Sequence, residues 1–413
     1  MRAILHCDCN SFFASVELLA HPHLAQQPVA VCGDPDARHG IILAKNEAAK
    51  KYGIVTAETV WSAKKKCPQL ILLAPSRDKY QYYSKIINEI YNEYTDLVEP
   101  FGIDESWLDV TGSYSLFAQS PRALAHIIRK RVFAETGLTV SVGVSFNKIF
   151  AKLGSDYKKP DAVTVISPLN FRQLVWPLPV NSLLYVGKKT EQTLAALGIQ
   201  TIGQLAQAPA DLLQQHLGKL GIDLLRFAQG KDDSPVRPAQ DREPPKSIGN
   251  GMTFRCDLTS MQQVRAAVTA LADEVAVRLR KSGQYASGVQ LTIRSASLST
   301  ITRQKKLPFS TQTGRELAAA CMELAKLHWN FTQPIRMLTV TAQSLSDQPA
   351  VVQLSFTEQA ACADPRLAKL EKSMDSIRQK YGFHAIGAAS QIDSDIGLNP
   401  LSSLPKPDHK PED

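Results

Sequence analysis

The sequence has few features of a secreted or membrane protein. Its seven cysteines are odd in number and scattered, with no Cys-x-x-Cys pair, so neither a disulfide framework nor a structural zinc site is indicated. No apolar run approaches the roughly 18 residues that a spanning helix needs. The segment before Asp8 is too short and too weakly apolar for a signal peptide. We therefore expect a cytoplasmic protein.

Aromatic residues are also sparse, at 7%, but the chain of 413 residues is 44% hydrophobic, which is enough for cores in roughly two to four domains. The polar, proline-rich segment 231–246 predicts a linker. After it, alternating strand-like and helical runs predict an α+β domain over 247–346. A last helix is expected at 364–381, within an otherwise polar tail.

The positive charge of the chain is concentrated in one region. The whole sequence carries 47 Lys and Arg against 39 Asp and Glu, a net charge of +8. Residues 242–350 contain 14 of the basic residues and only 7 of the acidic ones, so this quarter of the chain accounts for nearly all of the surplus. Such a concentration of charge favours a nucleic-acid partner.

Three acidic residues lie at the ends of predicted strands. In the strand that begins AILHCD, Ile4, His6 and Asp8 share one face. Asp104 and Glu105 lie within FGIDESWLDV, where a tight hairpin would set both beside Asp8. Clustered carboxylates of this kind suit Mg²⁺ or Mn²⁺ and phosphoryl transfer. The alternative is that each acid only caps a turn.

Three long motifs, in a fixed order, resemble those of the Y-family DNA polymerases, in their DNA polymerase IV branch: CDCNSFFASVE, EPFGIDESWLDVTG and SVGVSFNKIFAKLGSDYKKPDAVTVI. The resemblance covers about residues 1–345. It implies an α/β multidomain (α+β) right-hand polymerase, with a ferredoxin-like palm (1–11 and 75–165), small fingers (12–74), a helical thumb (166–230), a linker (231–246), an α+β little finger (247–346) and a tail (347–413). The implied activity is template-directed, low-fidelity DNA synthesis that bypasses lesions during DNA repair.

The resemblance also implies roles for individual residues. Asp8, Asp104 and Glu105 would bind two Mg²⁺ ions, for which Mn²⁺ can substitute, with the Cys9 carbonyl as a further ligand. Phe13, beside Phe12, would be the steric gate that excludes ribonucleotides. Packing of either ring in the core is the alternative. The other reading of Cys7 and Cys9, a metal or redox pair, is disfavoured because no further Cys or His cluster completes it.

Lysines are expected to hold the triphosphate of the incoming dNTP. Four of them fall in FNKIFAKLGSDYKKPDA, and the resemblance selects Lys159, the one before the proline. The alternative is a solvated helix face. In the fingers, Glu47 and Lys50 stand where the family usually has tyrosine and arginine. Lys50 is expected to contact phosphate, with Lys45 or Asn46 as alternatives for the other position.

Contacts with primer-template DNA are expected in two places. Gly187, Lys188, Lys189 and Thr190 resemble the helix-hairpin-helix of the polymerase thumb, where a glycine lets backbone amides approach a phosphate. An ordinary turn between helices is the alternative. In the little finger, strands that carry Ser247, Arg255, Arg294 and Arg303 are expected to lie along the duplex, where phosphate contacts need no sequence preference. A solvated sheet face is the alternative for any one arginine.

The tail contains Gln353-Leu354-Ser355-Phe356, which resembles a short peptide that binds the sliding clamp, although an edge strand would have a similar pattern. We expect a monomer that associates with the nucleoid when bound to DNA. Two other classes of function are weaker hypotheses. A non-catalytic DNA-binding relative would lack one or more of the three acids, and a nucleotide cyclase would not need the basic region or the helix-hairpin-helix.

Overall fold

The computed structural model describes residues 2–33, 40–239, 241, 244–349, 365–382, 385–387 and 396. The chain divides into two compact units, Met1–Arg242 and Glu243–Asp413. The division falls within the predicted linker. Within the described residues, no helix is both long and apolar enough to cross a bilayer.

The first unit is organised around a five-stranded sheet. Its strands are β1 (Ile4–Cys9), β5 (Val98–Pro100), β6 (Glu105–Asp109), β7 (Val140–Ser145) and β8 (Val163–Ile166). Strand β1 pairs antiparallel with β6 and β7, whereas β7 and β8 are parallel. The sheet order is β5-β6-β1-β7-β8.

The alternation along β1 places its side chains on two differently covered faces. Leu5 and Cys7 pack in the larger core of the unit with residues of helices α4 (Arg77–Asn92) and α6 (Pro121–Thr136). His6 faces helix α7 (Lys148–Tyr157) on the opposite side. A Cβ added at Gly143 would lie only 1.9 Å from the Ala151 carbonyl oxygen, so glycine is required for α7 to pack this closely on the sheet.

The remaining elements of the first unit form a small sheet and a helical region. The small sheet has the order β3-β2-β4. Its strands are β2 (Val29–Cys32), β3 (Ile42–Lys45) and β4 (Ile71–Leu73). The other helices are α1 (Phe12–Ala20), α2 (Glu47–Lys50), α3 (Val60–Lys66), α5 (Tyr114–Phe117), α8 (Phe171–Val175), α9 (Lys188–Ala196), α10 (Ile202–Gln207), α11 (Ala210–Leu217) and α12 (Lys219–Ala228).

The described part of the predicted linker contains no helix or strand, and its first residues pack against the first unit. Val236 is buried with Ile4, Trp107 and Ala151. The Asp232 carboxylate accepts a hydrogen bond from the backbone amide of Lys148, at 3.2 Å. The proline-rich composition indicated an extended backbone, whereas a single buried valine was too small a signal to indicate where that backbone lies.

The second unit is a four-stranded antiparallel sheet covered by helices. The sheet order is β11-β10-β12-β9. Leu291 of β10 and Val340 of β12 lie in one core with Leu271 and Leu317 of the covering helices. The elements are β9 (Ser247–Leu258), α13 (Met261–Ser282), β10 (Tyr285–Ser295), β11 (Thr300–Thr311), α14 (Gly314–His328), β12 (Ile335–Ser346) and α15 (Pro365–Tyr381).

Candidate active site

The strand pairing brings the three predicted carboxylates together. Asp8 and Glu105 are directly opposite each other on β1 and β6. Asp104 lies in the turn before β6, and its carbonyl oxygen accepts a hydrogen bond from the Cys9 amide at 3.0 Å. This is the hairpin that the sequence predicted. We refer to Asp8, Asp104 and Glu105 as the carboxylate cluster.

Two ammonium groups from the α7 region contact this cluster. Lys152 Nζ lies 2.8 Å from Asp8 Oδ2 and 2.6 Å from Glu105 Oε2. Lys159 Nζ lies 2.7 Å from Asp8 Oδ1. Both ammonium groups also pair with Asp156, at 3.2 Å for Lys152 and 2.8 Å for Lys159. The negative charge of the buried acids is therefore balanced by lysines from the next element of the chain.

A fully buried histidine lies beneath the cluster. His6 Nε2 is 3.3 Å from Glu105 Oε2, and His6 Nδ1 is 2.8 Å from Ser155 Oγ. The hydroxyl of Ser155 in turn donates to the Lys152 carbonyl oxygen, at 2.7 Å. Glu105 Oε2 therefore lies between the imidazole ring and the Lys152 ammonium group.

The two acids of the turn have opposite pKa shifts. Burial and the neighbouring charges of Asp8 and Glu105 raise the pKa of Asp104 to about 6. Burial alone would also raise the pKa of Glu105, but His6 and Lys152 outweigh it and lower that pKa to about 2. In the same environment, burial lowers the pKa of His6, which favours the neutral ring. Asp104 is thus the acid whose charge is least compensated.

The donor set fits a divalent cation. Carboxylate and carbonyl oxygens are the ligands that Mg²⁺ and Mn²⁺ prefer. Burial and the neighbouring carboxylates raise the pKa of Asp104, and a cation bound beside it would offset the cost of its negative charge. His6, Asp8 and Glu105 also place one potential ligand atom each within 4.8 Å of one another.

A cavity of about 370 Å³ opens beside the carboxylate cluster. Its walls include all the residues predicted for metal and nucleotide: Asp8, Cys9, Phe12, Phe13, Lys50, Asp104, Glu105 and Lys159. Lys45, Thr56, Lys152 and Asp156 also line it. The cavity is therefore acidic at the strand ends and basic along its other walls.

The two phenylalanines of the first helix have different environments. Phe12 is buried in the core, as the alternative reading expected for one of the pair, although part of it reaches the cavity. The half-buried Phe13 ring stacks on Tyr80, with centroids 4.0 Å apart and planes inclined by 8°. The Tyr80 hydroxyl donates to the buried Glu17 carboxylate at 2.5 Å. Phe13 thus presents a rigidly supported ring to the cavity.

The structure distinguishes between the alternatives in the fingers segment. Lys45 reaches the cavity and donates to Thr56 Oγ1 at 2.8 Å, whereas Asn46 is buried and caps α2. Glu47 points its carboxylate to Lys50 Nζ, 2.5 Å away, and accepts from the Ser11 hydroxyl. Glu47 therefore orients Lys50, and Lys45 supplies the second basic group.

The thumb motif forms the predicted turn and helix. Gly187 is the N-cap residue of α9, and Lys188 and Lys189 are exposed in its first turn, with Thr190 half-buried. A Cβ at Gly187 would meet no heavy atom within 4 Å. The backbone amides at this helix end are therefore open to an approaching anion.

In the second unit, one face of the sheet is polar and lies opposite the helices. We define this open face by the residues that share its side of the register: Ser247, Gly249, Gly251, Thr253, Gly288, Gln290, Thr292, Arg294, Thr300, Thr302, Gln304, Lys306, Met337, Thr339, Thr341 and Gln343. These positions include two basic residues and no acidic one. On this face Gly249 and Gly251 lie against the side chains of Thr341 and Thr339, so that an added Cβ would come within 2.7 and 2.2 Å of the threonine hydroxyl oxygens.

The predicted DNA-contacting residues of this unit do not share one surface. Ser247 and the exposed Arg294 belong to the open face. Arg303 is in register with the buried Leu291, so it projects from the helix-covered side at the edge strand. Arg255 is exposed beyond a break in the pairing of β9 with β12. Lys306, which the sequence did not single out, does belong to the open face.

Several residues of the site were missed or only partly identified from sequence. Lys152 was noted within a lysine run but given no role, and His6, Asp156, Tyr80 and Glu17 were not selected. A lysine one helical turn before Asp156 carries no distinctive signal by itself. The proposed clamp-binding residues Gln353–Phe356 lie outside the described residues. Cys7 and Cys9 are buried thiols, and burial raises the pKa of Cys7 to about 12, which agrees with a structural role.

Three family models match successive parts of the chain. The model of the impB/mucB/samB family matches residues 7–156, and that of its C-terminal domain matches residues 245–356. A model described as the thumb domain of DNA polymerase-iota matches residues 182–232. DNA polymerase IV of Acetivibrio thermocellus is 44% identical over 96% of this chain and 99% of its own length.

A less similar relative and a solved structure also match most of the chain. DNA polymerase IV 1 of Bacillus subtilis is 37% identical over 93% of this chain and 92% of that protein. A solved structure of a Y-family DNA polymerase chimera has the same fold, with a TM-score of 0.74 over 83% of this chain and 98% of that one, at 23% identity.

Proposed function

The chain belongs to the Y-family DNA polymerases, in the DNA polymerase IV group, and on this basis we propose that the carboxylate cluster is its catalytic centre. The protein is a DNA-directed DNA polymerase of the translesion type, which binds DNA and depends on metal ions. The observation that carries the proposal is the convergence of Asp8, Asp104 and Glu105 on one cavity.

We propose that the metal is Mg²⁺ and that two ions bind to Asp8, Asp104, Glu105 and the Cys9 carbonyl. Bound there, such ions would activate the primer 3′-hydroxyl and stabilise the charge that develops on the transferred phosphate. The chain itself contributes acids positioned by strand pairing and by the turn before β6. Lys159, at the edge of the cluster, is placed to hold the triphosphate of a dNTP.

The remaining walls of the cavity support roles in nucleotide selection. The stacked ring of Phe13 is the proposed steric gate against a 2′-hydroxyl, with Phe12 behind it. Lys50, oriented by Glu47, is a proposed phosphate contact. Lys45 lies in the same cavity and supplies a second cation. Lys45 and Lys50 together would take the place of the tyrosine and arginine that the family usually has.

The protein would bind DNA through contacts with the phosphate backbone of the duplex. In the thumb, the exposed Gly187–Lys189 turn is suited to a phosphate, with the Thr190 hydroxyl beside it. In the little finger, Ser247 and Arg294 on the open face are the proposed contacts, whereas Arg255 and Arg303 would contribute only from its margins. The boundaries of palm, fingers, thumb and little finger remain those proposed from the sequence. Clamp binding through Gln353–Phe356 and the monomeric state also stay predictions.

Primer extension with four dNTPs and Mg²⁺ tests the proposal. Replacing Asp104 and Glu105 together with alanine is expected to reduce extension by about 10³-fold or more, because the metal ligands are lost. DNA binding should be retained. Asp109→Ala, on the same strand but outside the cavity, is the matched control and should extend primers. Extension by the double variant at the wild-type rate would contradict the assignment of these acids.

A further inference from the structure

Lys152 contacts two of the three acids of the carboxylate cluster, Asp8 and Glu105. Its ammonium group lies within 2.8 Å of both Asp8 Oδ2 and Glu105 Oε2. The other oxygen of Asp8 is in contact with Lys159. A cation that binds Asp8 must therefore either displace an ammonium group or accept a like charge a few ångströms away, which is strongly unfavourable in a partly buried site.

A second acceptor for the ammonium group lies one helical turn away. Asp156 follows Lys152 by four residues on α7, and its Oδ2 is 3.2 Å from Lys152 Nζ. Its side chain is half exposed, unlike the nearly buried Asp8. A small rotation of the flexible lysine side chain would transfer the ammonium group from the cluster to Asp156 without leaving it unpaired.

We propose that Lys152 is a resident counter-ion that competes with the catalytic metal for Asp8 and Glu105, and that Asp156 accepts the ammonium group when the metal binds. In this arrangement Lys152 sets the metal affinity of the enzyme and keeps the acids ordered before the metal arrives. The inference rests on the proposed function, since it assumes that the cluster binds metal.

Binding of Mn²⁺ alone, without DNA or nucleotide, tests this directly, because free Mn²⁺ is measured by electron paramagnetic resonance. Lys152→Met keeps the aliphatic stem and removes the charge, and is expected to bind Mn²⁺ about tenfold more tightly than the wild type. Lys45→Met removes the same charge from the same cavity, but from a lysine bonded to Thr56. It is expected to tighten binding by less than about threefold. An equal increase in Mn²⁺ affinity in the two variants, or no increase in Lys152→Met, would overturn the proposal.

Asp156 provides the second arm of the test. Asp156→Asn is expected to weaken Mn²⁺ binding in the wild type, and to weaken it less in the Lys152→Met background, where no ammonium group needs an acceptor. Equal effects in both backgrounds would show that Asp156 acts only through its charge. Asp8→Asn should abolish the binding. If the wild type shows no binding that depends on Asp8, the proposed metal site fails, and the proposal on Lys152 fails with it.

The wild-type protein offers a measurement that does not depend on whether the variants fold. Acylation of the Lys152 amine, followed by mass spectrometry, is expected to become several-fold faster when Mn²⁺ is added, because the amine leaves the nearly buried Asp8 and the partly buried Glu105 and keeps only its contact with the half-exposed Asp156. Lys148 lies on the same helix as Lys152 and pairs with Glu99 of β5, so its acylation rate should not change. An unchanged or slower reaction at Lys152 would contradict displacement.

Discussion

The carboxylate cluster of the first unit and the open face of the second use charge in different ways. In the cluster, three acids and two lysines meet at the edge of one cavity, and every charge has a close partner of opposite sign or a shifted pKa. On the open face, Arg294 and Lys306 are separated by neutral Thr, Gln and Gly positions. Buried charges require fixed partners, whereas exposed cations act through the field that they create.

This difference predicts how each region responds to substitution. A change in the cavity should alter a specific chemical property by a large factor, because burial strengthens each interaction. A change on the open face should weaken DNA binding slightly and in the same way for every sequence.

After the loss of the metal ligands, the largest effect is expected for nucleotide selection at Phe13. Phe13→Ala removes the ring that Tyr80 supports, and should increase the incorporation of ribonucleotides relative to deoxyribonucleotides by roughly 100-fold. The ratio of kcat/KM for the two substrates measures this. Phe13→Tyr keeps the ring and should retain discrimination. An unchanged ratio in Phe13→Ala would show that the ring does not lie against the sugar.

An intermediate effect is expected for stability at Asp104, measured with metal removed by a chelator. The folded-state pKa is about 6, above the ordinary value of 3.8, so the folded protein binds the proton more tightly than the unfolded chain does. Stability should therefore fall as the pH rises between about 4 and 6, and the penalty should persist above that range. Asp104→Asn removes the cost of the ionised carboxylate. It should raise the free energy of unfolding by roughly 1–3 kcal/mol at pH 7.5 and leave it almost unchanged at pH 4.

Urea unfolding at the two pH values measures the effect of Asp104→Asn. Asp109→Asn, on the strand that follows Asp104 but outside the cavity, should show no such pH-dependent gain in stability. A gain from Asp104→Asn that is the same at both pH values would contradict the electrostatic explanation.

The smallest effect is expected on the open face, where Arg294 and Arg303 form a matched pair. Both are exposed arginines on paired strands, but only Arg294 is on the open face. Arg294→Ala should weaken primer-template binding a few-fold and reduce the slope of log affinity against log salt by about one. Arg303→Ala should change that slope much less. Titrations at several salt concentrations measure both, and equal effects would mean that the DNA does not follow the open face.

Local sequence patterns were enough to predict the first strand and the turn before Glu105, and the family resemblance selected the three acids. Alternation in AILHCD fixed which residues share a face with Asp8, and the FGIDESWLDV segment could bring Asp104 and Glu105 beside it only through a turn. Likewise, the basic surplus of residues 242–350 was visible by counting. These features depend on local periodicity and composition, which any reader of the chain can recover.

The groups that balance the acids, and the cations that share a surface, became apparent from the packing of segments that are distant in the chain. Lys152 reaches Asp8 because Gly143 lets α7 pack directly on the sheet, although 144 residues separate the two side chains in sequence. Arg294 and Arg303 look equivalent in sequence, and strand register places them on opposite sides. The physical reason is common to both cases: pairing between distant segments sets side-chain direction and distance, and local sequence patterns do not contain that information.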